Sequence, residues 1–254
     1  MFEDIIMKSR YELKKEYDTT TFEKDLDSLG VSLTKDQIQS FLVYYEILTE
    51  WNEFMNLTTI TEYDEVMKKH FIDSISLCKA MNVDQNISVI DVGCGAGFPG
   101  LALKIAYPQF KVTLLDSLNK RVQFLEAVIE KLGLTDITCI HGRAEDFAKK
   151  GKLRESFDLV VSRAVANLTT LSEYCLPYAK VGGCFIPYKS EKVSEEMKNA
   201  TKAIQILGGK LERQVEFDLP DTDYYRNLLV IKKEKATPGK YPRKAGLPSK
   251  EPIS

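Results

Sequence analysis

A chain of 254 residues with 44% hydrophobic and 28% charged residues has the composition of an ordinary globular protein and is long enough to bury a large core. It has a net charge of −2, acids near its N-terminus and no long apolar run, which exclude an integral membrane protein and argue against a cleaved secretion signal. The five cysteines are scattered, so we expect no disulfide framework, no bound metal and a reducing cytoplasmic location.

The first 80 residues are predicted to form a helical N-terminal region, here called the cap (1–80). Apart from Gly30 it contains no glycine, and an N-cap pattern at 32–37 precedes apolar residues at helical spacing over 38–48. A second helical pattern covers 66–77 and includes His70. For this histidine a structural role under the cap and a catalytic role both remain open.

The most distinctive stretch is a glycine-rich loop that follows an apolar strand pattern and opens into a helical one. Such a loop lets the backbone approach a nucleotide-like ligand. In one register, Gly95-x-Gly97-x-x-Gly100 matches the dinucleotide fingerprint of dehydrogenases. In another, Asp91-x-Gly93-x-Gly95-x-Gly97 matches the S-adenosylmethionine (AdoMet) loop of class I methyltransferases. The acid favours AdoMet, because it repels a pyrophosphate but suits a cationic amino group.

Downstream of the cap, strand and helix patterns alternate. Strands are predicted at 87–92, 111–116, 137–141, 157–162 and 184–188, and helices at 101–106, 121–132, 168–178 and 193–207. This order predicts a parallel sheet covered by helices on both faces. Two more strand patterns, 211–219 and 226–233, follow without a helix between them. We therefore predict an α/β, Rossmann-like, class I AdoMet-dependent methyltransferase fold over 81–234, with a mostly parallel seven-stranded sheet that ends in an antiparallel hairpin.

Residues at the ends of these strands are candidates for ligand contact. Asp116 can accept both ribose hydroxyls of an adenosine group, although a role at the start of the next helix is the alternative. Ala144 and Glu145 suit an adenine ring and its edge, with helix capping as the alternative for the acid. Arg163 ends the fourth strand, where ligands of open α/β sheets bind, and we predict a positioning role for it. The alternative is a surface ion pair with an acid such as Glu173.

No pattern for base catalysis or covalent catalysis lies beside Arg163. The segment 162–165, Ser-Arg-Ala-Val, lacks the Asn/Asp-Pro-Pro-aromatic motif of enzymes that methylate exocyclic amines, and no cysteine is placed as the nucleophile of a cytosine-C5 enzyme. A purine N7 already carries an available lone pair. For such a target positioning suffices, and we expect no general base.

The last residues, 235–254, are predicted to be a basic tail on an acidic body. From residue 232 to the end there are seven basic and two acidic residues, a balance of +5, whereas the remainder has 28 basic and 35 acidic residues, a balance of −7. Basic side chains favour contact with nucleic-acid phosphates. We predict that Lys240, Tyr241, Arg243 and Lys244 bind RNA, with a solvated terminus as the alternative.

Together these motifs resemble the glucose-inhibited division protein B family, the 16S rRNA guanine-N7 methyltransferases (methyltransferase G). The matching stretches are Glu50-Trp51-Asn52, Asn56-Leu57-Thr58, His70-Phe71, Asp73-Ser74, the loop 91–100 with its Phe98-Pro99-Gly100 extension, Asp116-Ser117-Leu118, Arg143-Ala144-Glu145, Ser162-Arg163-Ala164 and the tail segment 240–246. The resemblance implies AdoMet as the cofactor, with contacts at Gly93, Phe98, Ala144, Glu145 and Arg163. It also implies a guanine N7 near the decoding site of the small ribosomal subunit as the methyl acceptor.

The partner is therefore expected to be 16S rRNA, either naked or in an assembling small subunit, and the chain is expected to be a monomer without metal or membrane attachment. Two rival functions remain. A nicotinamide dehydrogenase would share the loop but not the terminal hairpin, and an RNA-binding protein with a vestigial AdoMet fold would not need the complete loop together with Asp116 and Arg163. Residues 1–20 match no motif.

Overall fold

The computed structural model describes residues 12–191 and 193–253, and a seven-stranded sheet runs through its centre. The strands are β1 (Ser88–Val92), β2 (Lys111–Asp116), β3 (Ile137–His141), β4 (Phe157–Arg163), β5 (Ala179–Lys189), β6 (Gly209–Asp218) and β7 (Tyr225–Lys233). They lie in the order 3-2-1-4-5-7-6, with β1 to β5 parallel and β7 antiparallel to both of its neighbours. The predicted α/β fold with a terminal hairpin is confirmed.

Helices cover both faces of the sheet, as a buried parallel sheet requires. They are α1 (Thr20–Ser28), α2 (Lys35–Met55), α3 (Tyr63–Val66), α4 (Asp73–Ile75), α5 (Gly100–Ala106), α6 (Asn119–Leu132), α7 (Ala144–Phe147), α8 (Leu168–Cys175), α9 (Ser194–Ile206) and α10 (Leu247–Lys250). A π-helical turn, Met67–Ile72, joins α3 to α4, and 3₁₀ turns follow at Ser76–Lys79 and Leu176–Tyr178. Among the described residues, no helix is long and apolar enough to cross a bilayer.

The N-terminal helices share one hydrophobic core with one face of the sheet. Thr34 and Gln37 form a capping box at the start of α2, where the sequence predicts an N-cap. The buried face of α2 then carries Tyr44, whose ring packs 5.2 Å from Phe71 of the cap and 5.5 Å from Phe98 of the glycine loop. Packing of this kind ties the cap to the edge of the sheet where ligands bind.

Strand β5 is longer than the sequence predicts. The predicted strand begins at residue 184, directly after the pair Gly182-Gly183. In the structure β5 begins at Ala179, and its pairing with β4 jumps from Ala179 to Cys184. The glycines lie inside this irregularity, where a strand can bend without ending.

Helix α1 has no counterpart in the prediction.

The tail is ordered against the body as far as residue 253. Arg154 donates hydrogen bonds to the carbonyl oxygens of Thr237 and Tyr241, and Ile253 lies buried in the core on the opposite face of the sheet. The buried Lys233 ammonium donates to Leu176 O and to the Thr237 hydroxyl, each at 2.6 Å. Burial lowers the pKa of Lys233 to about 8. These contacts explain why a segment without apolar periodicity is nevertheless well packed.

Candidate active site

The glycine loop connects β1 to α5 at the carboxyl edge of the parallel strands. Gly93, Gly95 and Gly97 all adopt left-handed backbone conformations, with φ of +74°, +58° and +94°. An added Cβ at Gly95 would meet no other atom within 4 Å, so this part of the loop borders open space. The φ values explain why the loop needs glycine, and the open space is where a ligand could approach the backbone.

Asp91 lies under the loop and is completely buried. Its Oδ2 accepts a hydrogen bond of 2.7 Å from Gly100 N at the start of α5, whereas its Oδ1 has no hydrogen-bond partner in the described part of the chain. Burial raises the pKa of this carboxyl to about 7. A buried carboxylate oxygen without a donor is costly, so this position favours a ligand that brings a hydrogen-bond donor or a positive charge.

Asp116 ends β2 and is also buried. Its Oδ2 accepts from Gly95 N at 2.9 Å, its Oδ1 accepts from Leu118 N at 2.9 Å, and Arg121 lies 3.5 Å from Oδ2. The carboxylate therefore ties the glycine loop to the turn before α6. Each of its oxygens has a second lone pair, so these bonds leave acceptor capacity for a ligand hydroxyl.

A cavity of about 220 Å³, here called the adenosine-side cavity, lies between the loop and the turn after β3. Its walls bring together three residues that the sequence predicts as cofactor contacts, Gly93, Ala144 and Glu145. Glu145 is 1% exposed and accepts a hydrogen bond of 2.8 Å from Gly246 N in the tail. The sequence motif around Glu145 predicts a contact with the edge of an adenine, whereas this bond to the tail depends on tertiary packing.

Phe98 of the glycine loop packs against side chains of the cap. Its ring stacks on that of His70 at a centroid distance of 4.3 Å, and the guanidinium carbon of Arg163 lies 5.1 Å from the same ring. Phe98 is buried, so in this structure its contacts are with protein. It therefore shapes the site from behind the glycine loop.

His70 is held in the neutral form. Its Nδ1 accepts a hydrogen bond of 3.0 Å from Arg163, and its Nε2 lies 2.9 Å from the Thr58 hydroxyl. Burial, reinforced by the positive charge of Arg163, lowers the pKa of His70 to about 3. A ring with so low a pKa is a poor proton acceptor at neutral pH, which favours the structural role over the catalytic one.

A second cavity, of about 370 Å³ and here called the cap-side cavity, lies where β4 and β5 end beneath the cap. Arg163 lines it, together with Asp73 of α4 and Arg226 of β7. Asp73 accepts a 2.6 Å hydrogen bond from Arg163 at Oδ2 and another 2.6 Å bond from Arg226 at Oδ1. The predicted alternative partner of Arg163, Glu173, is not the one observed, because the side chain turns towards the cap.

Comparison with known proteins identifies the family. The family model that describes GidB, rRNA small subunit methyltransferase G, matches residues 37–224, which include the glycine loop, the adenosine-side cavity and the lining of the cap-side cavity except Arg226. The chain belongs to the GidB family. The resemblance stated from the sequence motifs is thereby confirmed, and the dehydrogenase interpretation is dropped.

Curated relatives and solved structures agree with this assignment. A ribosomal RNA small subunit methyltransferase G from Lachnoclostridium phytofermentans is 56% identical over 93% of this chain and 98% of that protein, and one from Acetivibrio thermocellus is 53% identical over 89% and 92%. A SAM-dependent methyltransferase from Aquifex aeolicus, 19% identical, superposes with a TM-score of 0.51 over 69% of this chain and 96% of its own. The structural similarity shows the methyltransferase fold.

Within this GidB protein, the tail residues predicted to bind RNA fall into two groups. Arg243 donates to both carboxylate oxygens of Glu173 at 2.7 to 3.1 Å, and Glu173 is only 1% exposed. Its guanidinium is committed to this buried acid, which favours a structural role for Arg243 over the predicted contact with RNA phosphates. Lys240 and Lys244 are exposed, and the Lys240 ammonium lies 5.3 Å from the centre of the half-buried Tyr241 ring.

Two residues that line the cap-side cavity, Asp73 and Arg226, have no predicted role in the sequence. The only available signal was that the first belongs to the motif His-Phe-x-Asp-Ser, to which no role was given. Neither residue follows a glycine loop or ends a parallel strand. In residues 12–191 and 193–253 no group of three or more His, Cys, Asp or Glu side chains is placed to hold a metal ion.

Proposed function

We propose that this chain transfers a methyl group from AdoMet to N7 of a guanine in 16S rRNA near the decoding site of the small ribosomal subunit, and that it does so as a cytoplasmic monomer. The observation that carries the proposal is the loop after β1. It combines three glycines in left-handed conformations with the buried carboxylate of Asp91, whose Oδ1 accepts no hydrogen bond from the described residues, in a chain of the GidB family.

The residues of the loop fit AdoMet. We assign the amino group of its methionine end to Asp91, whose Oδ1 is buried and lacks a partner. The backbone at Gly93, Gly95 and Gly97 allows close approach. A pyrophosphate would fit poorly here, because an ionised Asp91 would repel it. When bound, AdoMet supplies a methyl group on a positively charged sulfur.

The adenosine end is assigned to the adenosine-side cavity. Asp116 retains acceptor capacity for ribose hydroxyls, because each of its two oxygens receives a single backbone hydrogen bond. Ala144 leaves room for a flat ring in a cavity of about 220 Å³, and Glu145 offers a buried carboxylate at its wall. Glu145 accepts the hydrogen bonds from Gly246 N and Arg143 at Oε1, and we assign the adenine amino group to the remaining acceptor capacity of this carboxylate.

The acceptor side needs residues that orient rather than residues that move protons. Guanine N7 has an available lone pair, so no proton has to leave before the methyl group arrives. His70 lines the cap-side cavity, and its pKa of about 3 keeps the ring neutral, which is consistent with this requirement. Arg163 lies over Phe98 and lines the cap-side cavity, so its charge is placed between the cofactor loop and the acceptor.

In this proposal the tail binds RNA through Lys240, Lys244 and Tyr241, while Arg243 anchors the tail to Glu173. The double variant Lys240→Ala/Lys244→Ala should flatten the plot of log affinity against log salt by about 1.4 to 1.8 units, if each lysine contacts one phosphate. The matched control is Lys24→Ala/Lys210→Ala, which removes two exposed lysines of the cap and of β6. Equal slopes for the two double variants would show that Lys240 and Lys244 do not contact RNA phosphates.

The decisive test is to identify the modified nucleoside. Purified protein is incubated with methyl-labelled AdoMet and either naked 16S rRNA or small subunits that lack the modification. Nucleoside mass spectrometry should then find label in 7-methylguanosine, and rRNA from cells without the gene should lack that nucleoside at the same position. Label in another nucleoside, or none with either substrate, would refute the proposal.

A further inference from the structure

The cap-side cavity contains two arginines that share a single carboxylate. Arg163 comes from the end of β4 and Arg226 from the start of β7, and Asp73 of the cap lies between them at 2.6 Å from each. All three side chains are largely shielded from water, with exposed fractions of 14%, 13% and 4%. Among the described residues Asp73 balances only one of these two positive charges, and an unbalanced charge in a partly dry cavity is unfavourable unless an anion binds there.

The other charges of this cavity do not supply that anion. Lys189 forms an ion pair with Glu196 at 2.7 Å, and Lys69 forms one with Glu65. His70 is neutral at physiological pH. The remaining acid in the cavity wall, Glu191, sits in an exposed turn beyond the end of β5. The excess charge therefore lies on the two guanidinium groups.

Both arginines are fixed, and one retains donor capacity. Arg163 donates to Asp73 and to Lys69 O through Nη1 and to His70 through Nη2. Arg226 uses Nε for Asp73 and Nη1 for Tyr225 O, and its Nη2 makes no hydrogen bond with the residues described. A guanidinium that is already oriented binds a phosphate oxygen with little further loss of side-chain freedom.

The backbone beside Arg163 is also unusual. Ala164, which lines the same cavity, has φ of +56°, a conformation that costs a non-glycine residue free energy. Such strain is concentrated at functional sites. The cavity volume of about 370 Å³ is within the range of small-molecule sites, and the contact of Arg163 with Phe98 connects it to the cofactor loop.

We propose that Arg163 and Arg226, held side by side by Asp73, bind a backbone phosphate of the nucleotide whose guanine is methylated. Asp73 is then a positioning residue, which orients both guanidinium groups without touching the RNA. The assignment rests on the proposed function, because it takes RNA as the ligand. It adds a defined phosphate contact within the cavity to the general contacts of the tail.

The first experiment measures RNA binding separately from turnover. Affinity for a 16S rRNA fragment is measured by filter binding over a range of salt, and AdoMet affinity by calorimetry, for the wild type and for Arg226→Ala. We expect Arg226→Ala to weaken RNA binding about tenfold to a hundredfold, the loss typical of a charged hydrogen bond. The salt slope should fall by about 0.7, and AdoMet affinity should stay within about twofold. The matched control is Arg213→Ala, which removes a half-exposed arginine of β6 that lies near the glycines of β5, away from the cap-side cavity, and should change none of these values.

The second experiment tests the positioning role of Asp73. Asp73→Asn keeps the shape of the side chain and removes its charge, so the net charge of the cluster rises. RNA binding should be retained or tightened, while kcat falls about tenfold because the guanidinium groups are no longer oriented. A purely structural Asp73 would lower stability, RNA binding and kcat together. Arg226→Lys, which keeps the charge but not the planar fork, should keep the salt slope and lose methylation rate.

The outcomes separate this inference from the proposed function. If the wild type fails to methylate rRNA, the proposed function fails, and the salt slope of Arg226→Ala still decides whether the cluster binds phosphate. If Arg226→Ala matches Arg213→Ala in RNA affinity and in salt slope, the phosphate site is wrong. If Arg226→Ala weakens AdoMet instead of RNA, the cluster binds the carboxylate of the cofactor, which also overturns the proposal.

Discussion

The affinity for AdoMet should depend on the ionisation of Asp91. Burial raises the pKa of this carboxyl to about 7, so below that pH the group carries a proton. A cationic amino group at Oδ1 requires the ionised form, and binding must therefore release that proton at acidic pH. Affinity should rise as the pH increases through 7 and should fall as the pH decreases.

The size of the effect follows from the pKa. Below about pH 7 each unit of pH costs a factor of about ten in the ionised fraction, or about 1.4 kcal/mol. With a pKa of about 7, the ionised fraction falls from roughly three quarters at pH 7.5 to roughly 3% at pH 5.5. AdoMet affinity should therefore fall about 20- to 30-fold over this interval, and about one proton should be released at the acidic end.

Isothermal titration calorimetry in buffers of different ionisation enthalpy measures both quantities. Asp91→Asn should bind AdoMet weakly and with little dependence on pH. The control is Asp25→Asn, which removes another buried carboxyl whose pKa is raised by burial but which lies in the cap, beside Lys68. This control should keep the pH dependence of the wild type. An affinity that is flat between about pH 5.5 and 7.5 in the wild type, or equally steep in Asp91→Asn, would refute the reasoning.

Three further predictions concern the loop, the tail and the mechanism. Gly95→Val should abolish AdoMet binding measured by calorimetry. It should lower the free energy of unfolding by only about 1–2 kcal/mol, because the φ of +58° disfavours valine but a Cβ added at this position meets no atom within 4 Å. Arg243→Ala should lower the free energy of unfolding in urea by about 3 kcal/mol, because it leaves the buried carboxylate of Glu173 without its partner. Lys244→Ala should change this free energy by less than about 0.5 kcal/mol, and equal effects of the two variants would contradict the anchoring role of Arg243. The methylation rate at saturating substrates should be nearly constant between about pH 6.5 and 8.5, and an ionisation that disappears in His70→Ala would show that this histidine takes part in proton transfer.

Much of the fold could be predicted because it is encoded locally. Strands β2 and β3 begin and end at the predicted residues, since each is a short apolar run between polar turns. The loop after β1 could be identified because it has a glycine at every second position from 93 to 97, where the backbone requires a positive φ. Local signals fail where the chain bends within an element, as at Gly182 in β5.

The sequence by itself therefore determined the order of the elements, the sheet with its terminal hairpin and the position of the cofactor loop, because periodicity and backbone requirements act over a few residues. Tertiary structure alone decided which charges meet. Asp73 contacts a residue 153 positions away, Arg226, and Arg243 contacts Glu173, 70 positions away. A charged residue can pair with many others in the chain, and only the packing of the cap and tail onto the sheet selects its partner.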